Sequence, residues 1–147
     1  MMRVLEFSSD PAQLASVRQE AHAFLSACGF DECDEAVMVL ALDEACTNII
    51  RHAYHHECKP VRMEMVRLKD RVRFILRDFG QSCDPALIKS RDLKDIRPGG
   101  VGVHIIKQAF DEVVYEPMDQ GTRLTLERKF SSNGSESSNG GHSVANR

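Results

Sequence analysis

The chain of 147 residues is 42% hydrophobic, 28% charged and 6% aromatic, the composition of one ordinary globular domain, which excludes a disordered tail or a collagen-like rod. Nineteen Lys and Arg against 22 Asp and Glu give a formal charge of -3, so no basic field exists to hold a phosphate backbone and nucleic acid is not an expected direct partner. No apolar run approaches the roughly 18 residues of a membrane span, and the first ten residues lack a signal-peptide core, so a cytoplasmic protein with no membrane partner is expected.

Residues 3–7 read as a short strand, and Ser9, Asp10 and Pro11 then offer cap and first-turn residues for a helix. Leu14, Val17, Ala21, Phe24, Leu25 and Cys28 recur at helical spacing until Gly29 ends the run. A second helix is expected from about residue 34 to 54. It is apolar nearly all round (Val37 to Leu42, Ala45, Cys46, Ile49, Ile50), which marks a central, buried element. Strands are expected at 61–68 and 72–78, joined by a tight turn at Lys69-Asp70. After Gly80 a long polar stretch runs into Pro98-Gly99-Gly100-Val101-Gly102. It carries too little apolar surface to pack firmly and is expected to behave as a lid over residues 81–97. A short helix then sets Val103, Ile106 and Phe110 on one face, and strands at 112–116 and 122–128 close the body around Asp119-Gln120-Gly121.

Helices come early and paired strands late. The expected fold class is therefore α+β, a two-layer sandwich of helices on a mixed, mostly antiparallel sheet, with residues 1–130 as the domain. Residues 131–147, SSNGSESSNGGHSVANR, contain a single aliphatic side chain larger than Ala and read as a flexible tail. A chain ending at Phe130 is expected to keep the melting temperature of the full chain in a thermal scan. A large fall would mean that the tail docks on the domain.

Five cysteines (Cys28, Cys33, Cys46, Cys58, Cys83) with no CxxC pair point to free thiols rather than a disulfide framework or a zinc knuckle. Asp78-Phe79-Gly80 spells the DFG of protein kinases, but no VAIK lysine or HRDxxxxN loop accompanies it. Gly100-Val101-Gly102 begins a GxG without the third glycine of a dinucleotide fingerprint, and no GxxxxGK[ST] occurs.

Strand parity is more informative. Val72, Phe74, Leu76 and Asp78 share one face while Arg71, Arg73 and Arg77 take the other, so Asp78 continues an apolar row. An interior carboxylate is costly unless donors surround it. The same count puts Thr122 in line with Leu124 and Leu126. On the second helix Glu44 and Asn48 are four apart and share a face. One reading is an internal hydrogen bond. The other is a metal and acid/base site, with Asn48 offering a neutral oxygen to Mg2+ and Glu44 accepting a proton. The helix entry at residues 99–102 would offer backbone N–H groups to phosphate.

Four features stand in a telling order: ALDEACTNIIRHAY (41–54), LRDFG (76–80), PGGVGVHIIKQAFDEVVYE (98–116) and GTRLTL (121–126). Together they resemble the N, G1, G2 and G3 boxes of the ATPase superfamily of gyrase, Hsp90, histidine kinases and MutL. Within it the chain most resembles the anti-sigma-factor serine/threonine kinases of the RsbW and SpoIIAB type, over residues 4–128. The resemblance implies the Bergerat ATP-binding fold and a Mg-ATP site. Asn48 would ligate Mg2+ and Glu44 would be the catalytic base. Asp78 would accept from the adenine amino group, Gly80 would leave room for the ring, and Thr122 would join through its hydroxyl or a water. Gly100 and Gly102 would cradle phosphates. Gln81-Ser82-Cys83 departs from the glycine-containing turn of many relatives, and no phosphate-binding cation is assigned among Lys89, Lys94 and Arg97.

The implied function is that of an ATP-dependent kinase acting on a Ser or Thr of a small anti-anti-sigma partner of the STAS type, and otherwise restraining a sigma factor, with a homodimer among the implied assemblies. The alternatives are an ATP- or ADP-dependent binding module without transfer, and the same kinase chemistry in another pathway. A sensor histidine kinase is not expected, because only about 30 residues precede the second helix. His52 belongs to the HAY of the first box, and His55, His56 and Cys58 fall where that helix should end, which favours histidine without any metal.

Overall fold

The structure, a computed structural model, describes residues 1–80 and 101–131. The expected lid, Gly100, Cys83 and residues 132–147 lie outside the described residues. Five strands form one sheet in the order β1 (Met2–Ser8), β2 (Pro60–Arg67), β3 (Arg71–Asp78), β5 (Thr122–Lys129), β4 (Glu112–Pro117). Among the described residues all four pairings are antiparallel, where a mixed sheet had been allowed for. The helices are α1 (Leu14–Ala27), α2 (Glu32–Asn48) and α3 (Val101–Ala109), so the architecture is the expected α+β.

The alternation in β3 decides which face the helices cover. Val72, Phe74, Leu76 and Asp78 are buried and the intervening residues are half-exposed. Phe74, at the sheet centre, meets Phe24 of α1 and Phe110 beyond α3 edge-on, with ring centroids 6.1 and 5.9 Å apart. Those pairs, the favoured aromatic geometry, pin two helices to one strand. On the opposite face Glu127 is buried and held by the guanidiniums of Arg71 and Arg73.

α2 is the central helix, as its all-round apolar run requires. Asp31 caps it, accepting from the Asp34 N–H at 2.8 Å, and Glu32, Asp34 and Glu35 place negative charge at the positive end of the helix dipole. The helix does not run to Tyr54 as a uniform α-helix. It gives way after Asn48 to one wide π turn, Ile49–Ala53, whose closing bond runs from the Tyr54 N–H to the Ile49 carbonyl at 3.0 Å. His55 and His56 follow at positive φ, 48° and 68°, and end the helix without a glycine. Of the described cysteines, Cys28 and Cys46 are buried and Cys33 and Cys58 exposed, all free. Burial pushes the Cys46 thiol up to about 12, assisted by the charge of Asp43.

Candidate functional site

The site is built at the end of β3. Asp78 is 4% exposed and faces the helices. It accepts at Oδ1 from the Gly80 N–H at 3.1 Å, and its carboxylate also receives the Thr122 N–H from β5. Burial pushes the Asp78 carboxyl above the usual aspartate range, against the pull of those two donors and of the Arg77 guanidinium. The Arg77 guanidinium also donates to the Asp78 carbonyl and lies over the Phe79 ring, 4.5 Å from its centroid.

Thr122, beside Asp78, is 7% exposed, and its Oγ1 is buried with no hydrogen-bond partner among the described residues. A buried hydroxyl without a partner is uncommon and costs about 1–3 kcal/mol. Next to a buried carboxylate it is the donor and acceptor equipment that a purine edge or a bridging water would satisfy.

Two glycines are fixed by close approach. The space a Cβ would take at Gly80 is filled by the backbone of Ala53, whose carbonyl carbon would lie at 2.9 Å, and by the Tyr54 ring, at 3.0 Å. The structure thus gives glycine at 80 a reason within the fold itself: the end of the π turn rests on it. Gly121, at φ 83°, lies against the Asp78 backbone, and a Cβ there would come within 2.7 Å of the Asp78 Oδ1. Its role went unseen in the sequence, where the only signal was a glycine in a turn one residue before Thr122.

On the helices, Glu44 and Asn48 are half-buried, and among the described residues no hydrogen bond joins them. Glu44 meets α3 instead. A Cβ added at Gly102, in the first turn of α3, would run into the Glu44 carboxylate, with the carboxyl carbon at 3.2 Å. The candidate base therefore sits against the helix entry that was expected to face phosphate. Asn48 ends α2 immediately before the π turn. Gly100 lies outside the described residues. No group of three or more His, Cys, Asp or Glu among the described residues is placed to hold a metal ion.

Gly102→Ala isolates the Glu44 contact. Alanine favours a helix over glycine by about 1 kcal/mol, so the melting temperature should hold or rise. The resemblance implies Glu44 as the base of a phosphoryl transfer, and on that reading the displaced carboxylate should slow transfer by about 10- to 100-fold, the cost of roughly 1 Å of misplacement. A normal transfer rate in this variant would show that Glu44 needs no fixed seat on α3.

The chemistry of this arrangement is that of a nucleotide site: a buried acceptor, an unsatisfied hydroxyl, a helix N-terminus and a carboxylate beside it. The family model described as the histidine kinase-like ATPase domain matches residues 7–128. Curated relatives include the serine-protein kinase RsbW of Bacillus velezensis, 29% identical over 119 residues, covering 74% of each chain. The serine-protein kinase RsbW of Halalkalibacterium halodurans is 28% identical over 118 residues, covering 75% of this chain and 72% of its own. Among solved structures, the RsbU and RsbW domains of a Mycobacterium tuberculosis protein superpose with a TM-score of 0.64 at 18% identity, over 88% of this chain and 32% of that one. A chain of the SiaB–SiaC complex from Pseudomonas aeruginosa superposes at 0.60 and 13% identity, over 87% of this chain and 88% of its own. These likenesses show the fold. No helix among the described residues is long and apolar enough to cross a membrane.

Proposed function

We propose that this chain, which belongs to the histidine kinase-like ATPase family, is an ATP-dependent serine/threonine protein kinase that phosphorylates an anti-anti-sigma partner of the STAS type and otherwise binds a sigma factor, in the cytoplasm and as a homodimer. The observation that carries the reading is the buried Asp78 carboxylate, held by the N–H groups of Gly80 and Thr122 beside the unsatisfied Thr122 hydroxyl. Similarity to proteins named serine-protein kinase RsbW supports the choice of reaction.

Asp78 accepts from the adenine amino group, and Thr122 turns its hydroxyl to the same edge of the base. Gly100 and Gly102 offer backbone N–H groups to the phosphates at the entry of α3, where a helix favours anions. Asn48 offers its amide oxygen, a hard neutral ligand suited to Mg2+. Mg2+ held there would neutralise charge on the phosphates and so lower the cost of transfer. Glu44 takes the proton of the substrate hydroxyl as that oxygen bonds to the γ-phosphorus, while the bond from the γ-phosphorus to the β–γ bridging oxygen breaks and ADP leaves.

Incubation with γ-labelled ATP, Mg2+ and purified STAS-type proteins tests the reading. Label should appear on a Ser or Thr of one partner. A nucleotide-dependent complex without label would make the chain a binding module, and absence of ATP binding by calorimetry would overturn the site itself.

A further inference from the structure

Tyr54, which none of the roles above uses, is 1% exposed at the end of the π turn. Its hydroxyl donates to the Pro60 carbonyl at 2.6 Å and accepts from the Phe79 N–H at 2.7 Å. A buried tyrosine hydroxyl needs a partner, and the Pro60 carbonyl satisfies that need. The second bond does something else. Phe79 stands between Asp78 and Gly80, so the hydroxyl fixes the Asp78–Phe79 peptide plane, which leads from the carboxylate's own residue into the peptide that carries the Gly80 donor. The neighbouring Ala53 backbone rests on Gly80, and a Cβ there would lie 3.0 Å from the Tyr54 ring. From the other side β5 holds the same carboxylate through the Thr122 N–H. The turn is thus gripped between the helix end and the sheet.

We propose that Tyr54 is a positioning residue for nucleotide recognition: by holding the Phe79 N–H it aims the Asp78 carboxylate at the amino group of the base and so sets the preference for adenine over a base that carries oxygen in that place. The inference rests on the reading of this site as an ATP site. In an aromatic residue serving only as core filler, the hydroxyl could be removed with the same effect on every nucleotide. In a positioning residue its removal affects only ligands that use Asp78 as an acceptor.

The test is calorimetric titration of the full chain and of Tyr54→Phe with Mg-ATP and with inosine triphosphate, which has oxygen where adenine has its amino group. The wild type should favour ATP by about tenfold or more, the worth of one hydrogen bond to a charged acceptor. Tyr54→Phe should weaken ATP about tenfold and inosine triphosphate less than about twofold, so that most of the preference disappears. Hydrogen exchange should show the Phe79 amide exchanging faster in the variant while Val72, deep in β3, is unchanged. Equal weakening toward both nucleotides, unchanged ATP affinity, or faster exchange throughout β3 would each overturn the proposal and leave Tyr54 as packing. A wild type that binds neither nucleotide, or does not distinguish them, overturns the ATP reading itself. A wild type that favours ATP beside an unaltered Tyr54→Phe overturns only the role of Tyr54.

Discussion

Glu44→Ala is expected to bind Mg-ATP within about threefold of the wild type and to lose phosphoryl transfer by a factor of about 100 to 10,000, the range that a positioned general base contributes. The expectation follows from where the side chain ends. Its carboxylate lies against Gly102 at the start of α3, and among the described residues no bond ties it to Asn48 one turn further along α2. Its removal therefore takes nothing from the Asp78 and Thr122 end of the site, where adenine is proposed to bind. Asn48→Ala should behave differently, weakening nucleotide binding in Mg2+ and having little effect in its absence. Single-turnover transfer and calorimetry on the two variants separate the roles. Transfer at the normal rate in Glu44→Ala would return Glu44 to a structural part in the helix.

Asp78→Asn should cost about 100-fold or more in ATP affinity. The Gly80 and Thr122 N–H groups both point at this side chain, so an asparagine must turn its oxygen toward them and present its NH2 to the amino group of the base. A charged acceptor is lost and a donor faces a donor. The same change should stabilise the nucleotide-free domain. Burial raises the Asp78 pKa above its unfolded value, so the folded state binds the proton more tightly than the unfolded chain. Its favourable contribution is complete below the unfolded carboxyl pKa and is lost as pH rises through the folded one. The variant does not titrate there. Its melting temperature should therefore gain on the wild type as pH climbs out of the carboxyl range, and the gap should be constant by neutral pH. Thermal scans across that range check the sign, and a gap that narrowed with rising pH would contradict it.

Strand parity alone placed Asp78 and Thr122 on the interior layer, because a period of two is unambiguous once Val72, Phe74 and Leu76 are aligned. Helical spacing likewise put Glu44 and Asn48 on one face. What spacing could not show was which element each face would meet. Glu44 and Gly102 come from α2 and from α3, and only the packing of those helices joins them. The Tyr54 clasp spans 25 residues from helix end to strand end and leaves no local signature. The wide turn at Ile49–Ala53 was hidden for a related reason. Ile49 and Ile50 are buried in either helical geometry, so the apolar pattern does not distinguish a π turn from an α turn. Gly80 and Gly121 were visible as glycines, but their cause, a neighbouring backbone pressed against the Cα, belongs to the tertiary structure.

That wide turn acts as a gauge of phase. An α-helix advances about 100° per residue, and accommodating one additional residue in a turn lets the residues after it resume at an angle the preceding turns would not have given. Glu44 meets α3, while Tyr54 reaches Phe79 at the end of β3. Both orientations are met because the turn between them is long. The winding of the chain here is consequently as constrained as its chemistry. With the same residues wound as α throughout, Tyr54 would be carried about one residue's rotation away from Phe79, uncoupling the two ends of the site although every side chain named in it remained in the chain.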